Sequence, residues 1–278
     1  MGHTQQRTCS TWRSKSATRR WAMELTTDAL RDFLNEKSQQ YNHPDFIASD
    51  PIQIPKQFDT KEDIEIAGFF SAIIAWGNRA SIIKSASNIM QILGDQPHDY
   101  ILNSTAANWE TIDQFVHRTF NIIDLRYCLK ALQHLYRHHG GLHGALRPKA
   151  NEAFMDDAIG RFRSLFFEIN HPKRTTKHIA NPAKGSAAKR IHMFLRWMVR
   201  QDNNGVDFGL WTDIPNSKLS CPLDVHTGNI ARKLGLLKRK QNDQKAVREL
   251  DKQLRILDPN DPVKYDFALF GLGVFEKF

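Results

Sequence analysis
Apolar residues recur every three or four positions along almost the whole chain, and no stretch alternates apolar with polar side chains as a half-buried strand does. Such a chain buries its apolar surface by laying helix faces together, so the expected fold is all-α. Thr27 is placed to cap a helix carrying Leu30, Phe33 and Leu34. Thr60 opens a helix from Lys61 to Trp76, with Asp63 as an acidic variant of a capping box. Trp76-Gly77-Asn78-Arg79 reads as a turn, and a helix with Ile82, Ile83, Ile89, Met90 and Leu93 runs from it to Gly94. Further helices are expected over Asp124–His139, Glu152–Ile169, Ser186–Arg200, Asp224–Leu234, Asp243–Leu257 and Pro262–Phe275. Asp224 caps one of these and Gly235 stops it. The aperiodic segments 171–185 and 201–222 flank the single helix Ser186–Arg200, which marks that helix as the place to look for chemistry.

The length of 278 residues admits one large domain or two lobes. The longest apolar stretch, Ile64 to Trp76, is interrupted by Glu65 and Gly68 and falls short of the ~18 residues that span a bilayer, so no membrane segment is expected. Cys9, Cys128 and Cys221 are widely spaced, which excludes a self-contained disulfide framework, zinc finger or four-cysteine cluster and suits a reducing, cytoplasmic setting. Residues 1–22 contain Arg7, Arg13, Lys15, Arg19 and Arg20 without an acid, so a large part of the +9 net charge lies there. That segment reads as a disordered basic extension, with the composition of a transit peptide or of a non-native stretch before a start at Met23. The helical domain is then 23–278, with lobe one over about 61–170 and lobe two formed by 23–60 and about 171–278.

From Lys173 to Arg200 the chain carries Lys173, Arg174, Lys177, Lys184, Lys189, Arg190, Arg196 and Arg200 and no acid. A cationic surface of this kind attracts a polyanion. Within it, Gly185 and Ser186 stand at an expected helix start, where free amides and the positive end of the helix dipole suit a phosphate. Pro222-Leu223-Asp224-Val225-His226 opens the following helix, and Asp224 meets Lys189 if the two helices pack side by side.

Gly185 to Lys189, then Pro222 to His226, then Ile230-Ala231-Arg232-Lys233-Leu234-Gly235-Leu236 resemble the helix-hairpin-helix DNA glycosylase superfamily, with its Gly-x-Gly-x-Lys hairpin and Pro-x-Asp-x-His segment. The resemblance covers about 60–275 and implies a two-lobed helical fold with a divergent helix-hairpin-helix. It places Lys189 on the nucleophilic lysine of bifunctional members, Asp224 on the shared aspartate, and His226 on a histidine near the lesion phosphate. It makes Trp76 to Arg79 resemble the turn that plugs the gap left by a flipped base, with Asn78 and Arg79 as the wedge. The sequence departs from the pattern in three ways: Ala187 replaces the second hairpin glycine, Asn181-Pro182-Ala183-Lys184 replaces the preceding Leu-Pro, and Lys189 and Asp224 are 35 positions apart, more than in most of the superfamily. The iron–sulfur branch's cysteines are absent. Lys189–Arg200 and Asp261–Phe270 also resemble a narrower, poorly characterised bacterial family.

What the resemblance implies is removal of a damaged base from double-stranded DNA by a monomeric, nucleoid-associated enzyme of the 8-oxoguanine type that needs no cofactor. The base leaves the stack, positive charge builds on the sugar, and Asp224 stabilises that charge or acts as base. A neutral Lys189 attacks C1′ to give a Schiff base and lyase activity; Arg190 is the neighbouring cation that would favour the neutral amine, and Lys218 is the alternative nucleophile. Gly185, Ser186, Arg190 and His226 are the expected DNA contacts, and Phe208 and Trp211 in the inserted loop, or Phe267 and Phe270 on the last helix, are candidates to stack the base. The competing reading is a nucleic-acid-binding protein that keeps the fold without catalysis. His134, His138, His139 and His143 read as exposed histidines at a basic helix end, with no metal expected.

Overall fold
The computed structural model describes residues 26–278; the basic extension 1–22 lies outside the described residues. Among these, α-helices are α1 (Thr27–Tyr41), α2 (Lys61–Ile73), α3 (Arg79–Leu93), α4 (Pro97–Asn103), α5 (Ala106–Glu110), α6 (Ile122–His138), α7 (Gly141–Leu146), α8 (Met155–Phe166), α9 (Lys189–Val199), α10 (Val225–Lys233), α11 (Gln244–Leu257) and α12 (Tyr265–Val274). The one sheet among the described residues is a hairpin of β1 (Val116–His117) and β2 (Phe120–Asn121), antiparallel with Val116 opposite Asn121. The fold is all-α.

Helix α2 is the centre of the larger core. Every residue from Asp63 to Ile73 is buried, so this helix is covered on all sides rather than along one stripe. The Phe69 ring contacts those of Phe70, Phe162, Phe166 and Phe194. Helix α9 packs over Gly68, where a Cβ would stand 3.1 Å from the Met198 Cε. Glu65 is the one acid in the middle of this apolar surface; its carboxylate accepts from the Trp211 Nε1 at 2.7 Å and the Tyr136 hydroxyl at 2.8 Å. Trp211 is therefore a core residue, fully buried and stacked on His143, and not a wall of a base pocket. Asp63 accepts from the Thr60 hydroxyl at 2.5 Å and the His98 amide at 2.7 Å, so it ties α4 to the start of α2.

A second cluster gathers Leu34 of α1 with Cys221, Leu223 and the buried faces of α10, α11 and α12. Helix α12 lies against both α1 and α10. A Cβ at Gly271 would sit 2.1 Å from the Tyr41 ring, so only glycine permits that approach of α1. The larger cluster also holds α9 and the loop to Leu219, where Phe194 meets Phe69 and Met198 approaches Gly68, together with Val263 and Phe267 near the chain's end, and the second cluster includes Cys221 and Leu223. Residues 50–58 also belong to the α2 side, through Ile52 and Ile54.

Two buried histidines set a pH response. His178 is 3% exposed with Nε2 3.3 Å from an Asp124 oxygen; His192 is 1% exposed with Nε2 3.7 Å from an Asp156 oxygen. Burial pushes both imidazoles down to about 4 against the attraction of those carboxylates. A depressed histidine contributes stability that is fully present above its unfolded value of ~6.5 and is lost as pH falls toward 4. Neither ring should titrate above pH ~5 when followed by NMR of the imidazole nitrogens; a midpoint near the unfolded value for either ring would contradict its buried placement.

Candidate active site
The helix that carries Lys189 begins later than its sequence suggests. Pro182–Lys184 forms a 3-10 turn that ends on Gly185 in the left-handed region (φ 86°). The Ser186 hydroxyl accepts from the Ala188 amide at 3.2 Å, a local turn rather than a helix cap. Ala188 is itself left-handed (φ 46°), and α9 starts at Lys189. A left-handed alanine costs roughly 1–2 kcal/mol, and this one is buried in the residue before Lys189. Between α8 and α9 the chain forms the 3-10 turns Lys173–His178 and Pro182–Lys184. The Gly185 carbonyl accepts from the Gln244 amide at 3.0 Å, which fixes the turn to the start of α11.

Asp224 is the N-cap of α10 as its position predicts, accepting from the Thr227 amide at 2.9 Å. Lys189 and Asp224 come together: Nζ lies 4.0 Å from Oδ2, both side chains partly exposed. They line a cavity of about 950 Å³ whose walls also include Trp76, Gly77 and Arg79, the first residues of α10 including His226, and Asp266, Phe267 and Phe270 of α12. Asn78 stands exposed at the rim, its side chain accepting from the Ser81 amide at 3.3 Å to cap α3. Arg79 lies over the Phe270 ring at 5.1 Å. Gly185, Ser186 and His226 are exposed, and of these only His226 lines the cavity.

Other expected site residues lie elsewhere. Lys218 donates to the Glu152 carbonyl at 2.7 Å and does not line the cavity, because the 3-10 turn Asn216–Lys218 carries it away. Phe208 packs under the Lys56 ammonium at 4.0 Å, outside the cavity. The aromatic walls are instead Phe46, Trp76, Trp197, Phe267 and Phe270.

The basic stretch is not one solvated cationic face. Arg190 turns inward: its guanidinium lies 4.7 Å over Trp76 and donates to the Ile73 carbonyl, and burial pulls its pKa down to about 10. Arg196 pairs with Asp207 at 3.2 Å and with Asp266; Arg200 pairs with Asp207 at 3.1 Å, Asp261 at 3.0 Å, and Asp202. Arg174 meets Asp124 at 3.1 Å. Lys173, Lys177 and Lys184 stay exposed. Arg196 and Arg200 find acids beyond the stretch, in the loop after α9 and around the start of α12, and Arg174 finds its acid in α6.

Three buried charged residues of the cavity are not singled out by the sequence as site residues. Asp50 is 8% exposed and accepts from the Ile52 amide at 3.1 Å; burial raises its carboxyl against the pull of Arg196, Arg79 and Lys189. Burial also pushes Asp266 up to about 6, opposed by its pairing with Arg196 and reinforced by the Asp224 charge. Arg196, between them, is held charged by Asp207, Asp266 and Asp50 although burial works against it. Asp266 lies within the noted segment Asp261–Phe270, but its partner is 70 positions away and nothing local signals the pair.

In chemical terms, an amine beside a carboxylate faces a cavity with aromatic walls and further buried acids. Among the described residues, no helix is long and apolar enough to cross a membrane. No curated protein and no solved structure matches the chain. Residues 50–275, which contain every wall residue named above except Phe46, match the family described as Protein of unknown function (DUF2400). The chain belongs to that family.

Proposed function
We propose that this protein is a DNA base-excision glycosylase that accepts a flipped, damaged base in the cavity between α9, α10 and α12, with Lys189 and Asp224 as its reacting pair. The observation that carries the reading is the 4.0 Å approach of the Lys189 amine to the Asp224 carboxylate on the cavity wall. The helix-hairpin-helix resemblance assigns these same two residues.

In the proposed reaction the neutral Lys189 amine forms a bond to C1′ as the bond from C1′ to the base breaks, and the departing base takes up a proton. The attacking nitrogen then gives one proton to Asp224, its lone pair expels the ring oxygen, which takes that proton up, and the product is a protonated imine that permits strand elimination. Asp224 stabilises positive charge on the sugar and accepts the proton from the attacking nitrogen. Asn78 and Arg79 fill the space left in the duplex, and Gly185, Ser186 and His226 meet the flanking phosphates. Arg190 serves as a wall cation behind Trp76.

The 3-10 turns between α8 and α9, where the resemblance implies a first hairpin helix, favour a second reading, a lesion-binding protein without chemistry. Labelled duplexes carrying 8-oxoguanine, uracil or an abasic site, with an undamaged control, separate the two. The expected result is base release from at least one lesion duplex by wild type and none from the undamaged duplex. Lesion-preferring binding without base release supports the second reading, and equal binding to all four duplexes overturns both.

A further inference from the structure
Outside the cavity lining, at the end of α6, the chain brings three metal-ligating side chains to one point. His134 Nε2 lies 2.7 Å, and His139 Nε2 2.8 Å, from the same Glu168 oxygen. The two ring nitrogens are 3.3 Å apart. The spacing of four residues singles out His134 and His138, but it is His139, past the last turn of α6, whose nitrogen meets that of His134. We propose that His134, His139 and Glu168 form a binding site for a divalent cation of the zinc type.

Three features carry this. The first is ligand chemistry: two imidazoles and a carboxylate suit a borderline cation such as Zn²⁺, whereas Mg²⁺ and Ca²⁺ take oxygen ligands. The second is spacing. Tetrahedral zinc with bonds of about 2.0–2.1 Å sets its ligand atoms roughly 3.3–3.4 Å apart, the separation the two nitrogens already have. Glu168 needs to withdraw by only about half an ångström to match, and at 51% exposure its side chain is free to do so. Two neutral rings aimed at one oxygen can each donate a single proton there, and two charged rings this close repel; one cation replaces both protons without that conflict. The third is the backbone. Glu168 follows the end of α8 and His139 follows the end of α6, so the negative ends of two helix dipoles lie at the cluster. Water or His138, whose ring is 4.9 Å from that of His134, completes the coordination. The bound ion would fasten the end of α6 to the end of α8, with no part in the Lys189 chemistry.

The test is equilibrium dialysis of the full chain against Zn²⁺, with metal content read by mass spectrometry, for wild type, His139→Asn and Glu168→Gln. Both substitutions lie at the surface and are checked by circular dichroism. Wild type is expected to retain one zinc per chain and to unfold at a higher temperature with zinc present. Even outer-shell partners of a metal ligand are worth 10–100-fold in affinity, so each variant should lose at least about tenfold and lose the thermal shift. Cys128 and Cys221 are buried and do not compete. Wild type that retains no zinc, or variants that retain as much as wild type, would overturn the assignment and leave an ion pair.

Discussion

Asp224→Asn should slow base release by about 10²–10³-fold while leaving thermal unfolding unchanged. The magnitude is that of removing one preorganised electrostatic group aimed at developing charge. Stability should hold because the side-chain oxygen that accepts from the Thr227 amide survives in asparagine, and asparagine and aspartate are equivalent N-caps. Asp224→Ala provides the contrast. It loses the cap as well, at a cost of about 1 kcal/mol, or roughly 2–4 °C in a chain of this size. Single-turnover base release and a thermal melt on both variants separate chemistry from capping. Asp224→Asn within about threefold of wild type would sink the assigned role, whatever the melt shows.

The second large effect concerns the floor of the cavity. Arg196→Leu should destabilise the protein by about 3–5 kcal/mol, since removing one partner of a buried ion pair strands the others. The Asp207 side chain is fully buried and that of Asp266 is 8% exposed, so neither can turn to water. The melting temperature should fall by roughly 6–20 °C. The deficit should shrink as pH falls. Asp266 already lies near 6 in wild type, and an acid with a raised folded value contributes stability present below its unfolded value and lost as pH rises through the folded one. Without Arg196 the folded value rises further and the loss with rising pH becomes larger, so the variant recovers on acidification. Denaturant unfolding at several pH values measures this; a variant equally unstable at all of them would show that the arginine acts by packing alone.

The helices with strong local signals are legible in the sequence. Thr60 caps the helix it is expected to open, the helix expected from Asp243 starts one residue after it, and Asp224 and Gly235 bracket α10 within a residue. Local boundaries fail where two hydroxyl or helix-start signals compete: Thr26, not Thr27, caps α1, and Ser186 spends its hydroxyl on a turn because Ala188 is left-handed. Helices of one or two turns, such as α4, α5 and α7, are too short to display a period. The meeting of Lys189 and Asp224 was readable only as a conditional on two helices packing. The pairing of Arg196 and Arg200 with distant aspartates was not readable, because salt-bridge partners far apart in sequence leave no local trace. The same reason hid Glu168 from His134 and His139, 34 and 29 positions away.

Borohydride trapping on a duplex with an abasic site tests the central claim most directly, because it captures the bond between protein amine and C1′. Wild type, Lys189→Ala and Lys218→Ala are compared by gel. The account predicts a covalent adduct with wild type and Lys218→Ala that is absent with Lys189→Ala. An adduct that survives in Lys189→Ala, or one that disappears in Lys218→Ala, would contradict the assignment of the reacting amine, and no adduct from wild type would contradict the Schiff-base chemistry itself.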